Sequence, residues 1–180
     1  MADNQQLETL IGALSDPNPQ TRRNAVYELG ELGDGQALGP LTRALQDPEW
    51  EVRYFAAMAL NKLADSANLS AALASGESGN QQELEIIYKS LESSGTKLGR
   101  VQAEQLKAIA VPPLIEAMQD PNSTVRWWAA YALGHIHDER ALPALTWAQQ
   151  NDDGVAESGQ TVKDAATKGI NHIKKSKKGY

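Results

Sequence analysis

The chain has 180 residues and a formal net charge of −6, and 41% of its residues are hydrophobic, with a single phenylalanine among them. That acidity argues against a nucleic-acid binder whose affinity comes from neutralising phosphates. The chain has no cysteine, which excludes a catalytic thiol, a disulfide framework and a thiolate zinc site.

Alanine and leucine supply much of the apolar share, and β-branched residues are few, so the composition predicts an all-α fold. The length suits one domain or one solenoid. No apolar run approaches a membrane span, and the polar start Met-Ala-Asp-Asn-Gln-Gln does not read as a signal peptide. The expectation is therefore a soluble cytoplasmic protein with no membrane insertion.

Taken in order, the chain predicts a helix pair over residues 5–32, broken at Asp16-Pro17, and a second over 37–63, broken at Asp47-Pro48. Proline ends each first helix because it lacks an N–H and restricts the residue before it. Over 65–111 the pattern loosens. Residues 68–73 fit the start of a helix, 75–80 a flexible break and 81–93 a helix with Leu84, Ile87, Tyr88 and Leu91 on one face. A further helix over 100–110 then leads into Pro112-Pro113. A strong unit spans 112–136, with its turn at Asp120-Pro121 and Val125, Trp128, Ala129, Ala132, Leu133 and Ile136 at spacings of three and four. Gly134 is expected to loosen that helix near its end, and Asp138 to cap the next one. A helix over 141–149, an Asp- and Gly-containing loop over 151–159 and a helix over 162–173 complete the series before a Lys-rich tail.

Aligning the turns on Asp-Pro exposes a repeat. Arg22, Arg53 and Arg126 coincide, and so do Ala25, Ala56 and Ala129, then Leu29, Leu60 and Leu133. Leu32, Leu63 and Ile136 follow, then Asp34, Asp65 and Asp138, while Leu10, Leu41, Leu114 and Leu145 mark the helix before each turn. Residues 162–173 match 125–136 at an offset of 37, with Lys163 in the Arg column. Two short helices cannot bury their apolar faces alone, so such units must stack. The prediction is a single right-handed α-solenoid of about five helix pairs over 1–180. Residues 1–64 hold two regular repeats, 65–111 a degenerate repeat with an insertion, 112–173 two further repeats and 174–180 a basic tail.

Two sets of side chains stand out. Asp16 and Arg22, Asp47 and Arg53, and Asp120 and Arg126 recur six residues apart. They are expected to form a structural ladder, in which each planar guanidinium makes several hydrogen bonds. A ligand-binding Arg row is the alternative. On the second helix of each pair, opposite the core column, stand Arg23 and Tyr27, Tyr54 and Met58, and Trp127 and Tyr131. These predict a partner-binding stripe on the concave face, since exposed Tyr, Trp and Arg are enriched at interface hot spots. Ordinary packing is the competing reading for Trp127 and Tyr131. Phe55 and Trp128 are expected on the core side, Trp50 and Trp147 are given no role, and Asp152-Asp153 is read as a solvated pair. His135 and His137 lie two apart on a helix and so do not face one another. No catalytic, cofactor or metal residue is assigned, although a metal-dependent enzyme using these two histidines is the third reading.

The pattern Asp-Pro-x-x-x-Val-Arg-x-x-Ala-Ala-x-Ala-Leu-Gly-x-Ile-x-Asp-x-x-Ala-Leu-Pro-x-Leu, from Asp120 to Leu145, resembles HEAT-like repeats. It is most similar to those of the phycobilisome lyase family, the E/F-type bilin lyases of cyanobacteria and their relatives, and Val52–Leu60 carries the same signature. The resemblance spans about residues 5–70 and 110–173. It implies a solenoid that holds a phycobiliprotein or its tetrapyrrole during chromophore attachment, removal or phycobilisome turnover, as a lyase subunit, a chaperone or an assembly factor. The implied partner is a phycobiliprotein subunit or a second lyase-like subunit. No resident cofactor is implied, and contact with a phycobilin would be transient. In that family the acceptor cysteine belongs to the substrate protein, so a chain without cysteine remains compatible with it. The Cys/His motif of the isomerising lyases has no counterpart here. A general protein-interaction scaffold with no bilin role is the alternative.

Overall fold

The structure, a computed structural model, describes residues 2–75 and 103–176. Among these residues the helices are α1 (Ala2–Ala13), α2 (Pro19–Leu32), α3 (Leu38–Ala44), α4 (Trp50–Ser75), α5 (Ala103–Ala117), α6 (Ser123–Ile136), α7 (Leu142–Asn151) and α8 (Val162–Ser176). They pair as α1/α2, α3/α4, α5/α6 and α7/α8, and the second helices of the pairs lie side by side, α4 between α2 and α6, and α6 between α4 and α8. The chain is an α-solenoid.

The turn chemistry explains where the helices begin. The carboxylates of Asp16, Asp47 and Asp120 each accept the N–H of the residue two positions on, at 2.8, 2.9 and 2.8 Å, which folds the chain back as an Asx turn. Asn18 and Asn122 then cap α2 and α6 by accepting the N–H groups of Gln20 and Thr124. Asp34 and Asp138 cap the 3₁₀ turns Gly35–Ala37 and Glu139–Ala141, which lead into α3 and α7. The repeat columns form the core: Ala25, Ala56, Ala129, Leu29, Leu60, Leu133, Leu41, Leu114 and Leu145 are all buried.

Two boundaries differ from the sequence expectation. α4 does not stop near residue 63 but continues to Ser75, so Asp65 lies inside a helix and caps nothing. The stop depends on a different column. α2 ends on Gly33 at φ 62° and α6 on His137 at φ 56°, both left-handed. The corresponding residue of the second unit is Ala64, which has little tendency toward that conformation and is buried, as is Ala67. The other difference is α5, which is one helix from Ala103 and contains Pro112 and Pro113, rather than a helix over 100–110 and a new unit from Pro112. An interior proline costs about 3 kcal/mol. Here Leu106, Ala110, Val111 and Leu114 form one buried face that offsets it. The residues whose carbonyls lose a donor, Ala108 and Ile109, lie on the exposed side of the helix, where a carbonyl is open to solvent rather than stranded in the core. The expected break at 75–80 and helix at 81–93 fall outside the described residues, apart from Ser75 at the end of α4.

Gly134 does more than loosen a helix end. A Cβ placed on it would stand 2.5 Å from the Cα of Gly169, so α6 and α8 cross almost backbone on backbone. Gly134→Ala should therefore destabilise the protein by about 1–3 kcal/mol, despite alanine's better helix propensity, because the two helices must move apart. Urea unfolding measures this, and a neutral or stabilised variant would show that the crossing is not tight. No described helix is long and apolar enough to cross a membrane.

Candidate functional site

The Asp-Arg columns form a ladder that runs between units. Arg22 Nε and Nη2 donate to the two carboxylate oxygens of Asp47 at 2.7 and 2.8 Å. Its Nη1 donates to the carbonyls of Asp16 and Pro17 in its own turn. Arg53 does the same with Asp120 at 2.6 and 3.0 Å and with the carbonyls of Asp47 and Pro48. Each arginine therefore ties its own turn to the carboxylate of the next unit, and its fork is occupied within the scaffold. The Arg53–Asp120 rung also places the unit of α3 and α4 directly against that of α5 and α6, although 67 residues separate the two side chains.

The third rung corrects a sequence reading. Arg126 donates to Asp152 at 2.7 and 2.9 Å, so Asp152 is not solvated but 6% exposed and part of the ladder. It builds the same turn as the others, accepting the Gly154 N–H at 2.9 Å. Its distance from Asp120, 32 residues, is within one of the 31 between Asp16 and Asp47, and that spacing is the signal that could have revealed it without the proline. Lys163, in the Arg column, pairs instead with the exposed Asp153 of its own turn. Burial pushes the Asp47 and Asp152 carboxyls up, but the guanidinium and the turn N–H on each outweigh it and hold both below the ordinary carboxylate range.

The second helices carry a line of aromatic rings across three units. Tyr27 on α2 meets Phe55 on α4 edge-on at 6.0 Å, and Phe55 touches Tyr54 at 4.5 Å. Tyr54 lies 6.0 Å from Trp128 on α6, Trp128 5.0 Å from Trp127, and Trp127 stacks on Tyr131 at 5.1 Å and 10°. Cations flank the line, with Arg23 5.7 Å from the Phe55 ring and Lys62 5.4 Å from the Tyr27 ring. Arg23 also pairs with Glu51, and Lys62 with Glu31, so the charges on this face are largely neutralised in place. Burial, with a contribution from the Glu157 carboxylate, raises the Tyr54 hydroxyl pKa.

Exposure along this line differs from residue to residue. Tyr27 is 44% exposed, whereas Trp127 is 7% exposed and its Nε1–H has no acceptor. Arg23, Tyr54, Met58 and Tyr131 are half-buried, and Tyr54 Oη approaches the Met58 sulfur at 4.0 Å. Phe55 and Trp128, expected on the core side, are half-buried members of the same line. A helix flanked by neighbours on both sides buries more than one stripe, so distance from the core column does not by itself set exposure. Trp147 on α7 is 49% exposed and lines a groove with Arg126 and Asp152. The three histidines gather at the other end of the line, although none faces another along a single helix. Among the described residues no three His, Cys, Asp or Glu side chains are placed to hold a metal ion.

Comparison with known proteins fits this architecture. The sequence matches the profile of HEAT repeats over residues 7–92 and 94–163. The fold is similar to that of the complex of CpcE and CpcF of phycocyanin lyase from Nostoc sp. PCC7120, with a TM-score of 0.61 and 22% identity. That match covers 95% of this chain and 54% of the other, so the chain spans about half the length of that relative. An engineered protein matches at a TM-score of 0.37 and 20% identity over 93% of this chain and 78% of its own. A designed armadillo repeat protein matches at 0.30 and 18% over 93% and 99%. At 22% identity the likeness to the phycocyanin lyase complex is one of fold. No curated protein matches the sequence.

Proposed function

Because the chain belongs to the HEAT-repeat family, we propose that it is a protein-binding scaffold whose partner docks on the aromatic face of α2, α4 and α6. The observation that carries this reading is the unbroken contact of rings from Tyr27 to Tyr131 across three stacked units. A packed core needs no such row at its edge, while Tyr, Trp and Arg are the residues that anchor interfaces. Arg23, Tyr27, Tyr54, Met58 and Tyr131 would make the contact, with Trp127 supporting them from beneath. The partner we favour is a phycobiliprotein subunit or a second lyase-like subunit, with this chain serving as a lyase subunit, chaperone or assembly and turnover factor that meets a phycobilin only in passing. Support for this is the repeat pattern and a fold shared with the phycocyanin lyase complex over nearly the whole chain. The second reading, a scaffold with no bilin role, is favoured by the fact that the most regular residues of the repeat are all engaged in building it.

Tyr27→Ala is the informative substitution, because this ring is exposed and its loss should change stability by no more than about 1 kcal/mol. Affinity for the partner should fall about tenfold, as for a single hot-spot aromatic. Unchanged affinity of the folded variant would remove the aromatic face as the docking site. Co-purification with phycobiliprotein subunits, or an absorbance shift of added phycocyanobilin, supports the bilin reading. Neither of these, together with a different specific partner, supports the second.

A further inference from the structure

All three histidines of the chain converge at one edge of the stack. His135 and His137 come from the end of α6, and His172 from the closing turns of α8. The His172 ring lies 5.1 Å from that of His135, edge-on, and 6.4 Å from that of His137. His135 also packs against Tyr131 at 4.5 Å with the rings tilted by 36°, and its Nδ1 is 2.5 Å from a carboxylate oxygen of Asp65, on the part of α4 that runs beyond the repeat. The other charges around the cluster are mainly positive. Lys107 of α5 lies near His137, and Lys168 and Lys175 of α8 lie near His172. Of the nearby acids, Asp138 is engaged by Arg140 and Glu104 by Lys107, while Asp65 is set directly against His135 and opposes the effect of the positive neighbours on His137 and His172.

We propose that this cluster is an acid-sensitive latch: protonation of His172 and His137 crowds like charge onto the ends of two touching helices and releases α8 from α6. The helices meet through Gly134 and Gly169, so their backbones are close and little side-chain volume cushions the repulsion. Among the described residues α8 has a second-helix neighbour on one side only, and a helix so placed opens before those in the middle of a stack.

The direction of titration agrees with this. Burial, then the neighbouring His172 and His135, depress His137, and burial, then His135, depress His172. A histidine held below its ordinary value of about 6.5 takes up a proton more readily when unfolded. The stability it contributes is therefore complete above that value and is lost as pH falls from there through the folded value. The ladder carboxylates respond only at the lower pH of the carboxylate range, so the two effects occupy separate windows. The latch does not depend on the identity of any partner.

Hydrogen exchange at pH 7.5 and 5.5, corrected for intrinsic rates, tests it on the full chain. Peptides from 162–176 should lose protection several-fold at the lower pH, while those from 19–32 should not. His172→Gln should remove most of that difference and His137→Gln part of it. Equal protection of α8 at both pH values, or an undiminished difference in His172→Gln, overturns the proposal. An NMR titration of the wild type gives a second readout without any variant, and a His172 midpoint at or above the ordinary value would overturn it as well.

Discussion

Replacing Arg53 by alanine is expected to lower stability by about 3–5 kcal/mol, the range for breaking a buried ion pair from one side. The side chains of Arg53 and Asp120 are 13% and 7% exposed, and the guanidinium bridges both carboxylate oxygens while holding two carbonyls of its own turn. Its removal leaves a largely buried carboxylate with only the Asn122 N–H for a partner and takes the donor from two turn carbonyls, one part-buried and one exposed. This rung joins the unit of α3 and α4 to that of α5 and α6, so the variant should also unfold in two steps as the halves uncouple, since stacked repeats are held by nearest-neighbour terms. Arg53→Lys should fall between the two, because an ammonium keeps the charge but cannot make the fork and the turn bonds together. Lys163→Ala provides the control: its pair with Asp153 has side chains 37% and 87% exposed and should contribute less than about 1 kcal/mol. Urea denaturation followed by circular dichroism reads all three. A loss at Arg53 no larger than at Lys163 would show that the ladder is ornamental.

Trp127→Ala should cost a further large amount, about 3–5 kcal/mol, as for other buried tryptophans truncated to alanine. The ring is 7% exposed and sits between Trp128 and Tyr131, so the deletion opens a cavity beneath the aromatic face. Trp127→Phe should behave differently and remain within about 1 kcal/mol of the wild type. It keeps an aromatic ring against Tyr131 and removes an indole N–H that is buried without an acceptor, itself a cost of about 1–3 kcal/mol. If phenylalanine destabilises as much as alanine, the indole has a role that packing does not explain. The contrast bears on function too. Loss of a partner in Trp127→Ala would report unfolding, whereas loss in Tyr27→Ala would report on the proposed docking face.

Much of the fold was legible because its signals are local. The alanine and leucine columns, the Asp-Pro turns and the Asp138 cap each depend on a few neighbouring residues, so the helix pairs and their core could be placed from the chain alone. The extent of α4 was not, because the repeated Asp65 suggested a stop while the residue that decides it is Ala64. α5 was cut short for a similar reason. Its prolines carry a strong local signal against a continuous helix, and only the burial of Leu106, Ala110, Val111 and Leu114 outweighs it.

The aromatic face was only half legible. Helical spacing placed Tyr27, Tyr54 and Tyr131 on one side of their helices, but exposure depends on what lies alongside, which left Trp127 covered and Trp128 partly open.

By itself the sequence determined the repeat, the helix-pair architecture and the residue types in the ladder columns, since these follow from period and turn chemistry. Tertiary structure alone decided that each arginine reaches the next unit's carboxylate, that Asp152 is the third acceptor and that three histidines share one edge. Each of these depends on which helices become neighbours, and neighbourhood across 25 to 67 residues of chain comes from packing whole units together, not from any local preference.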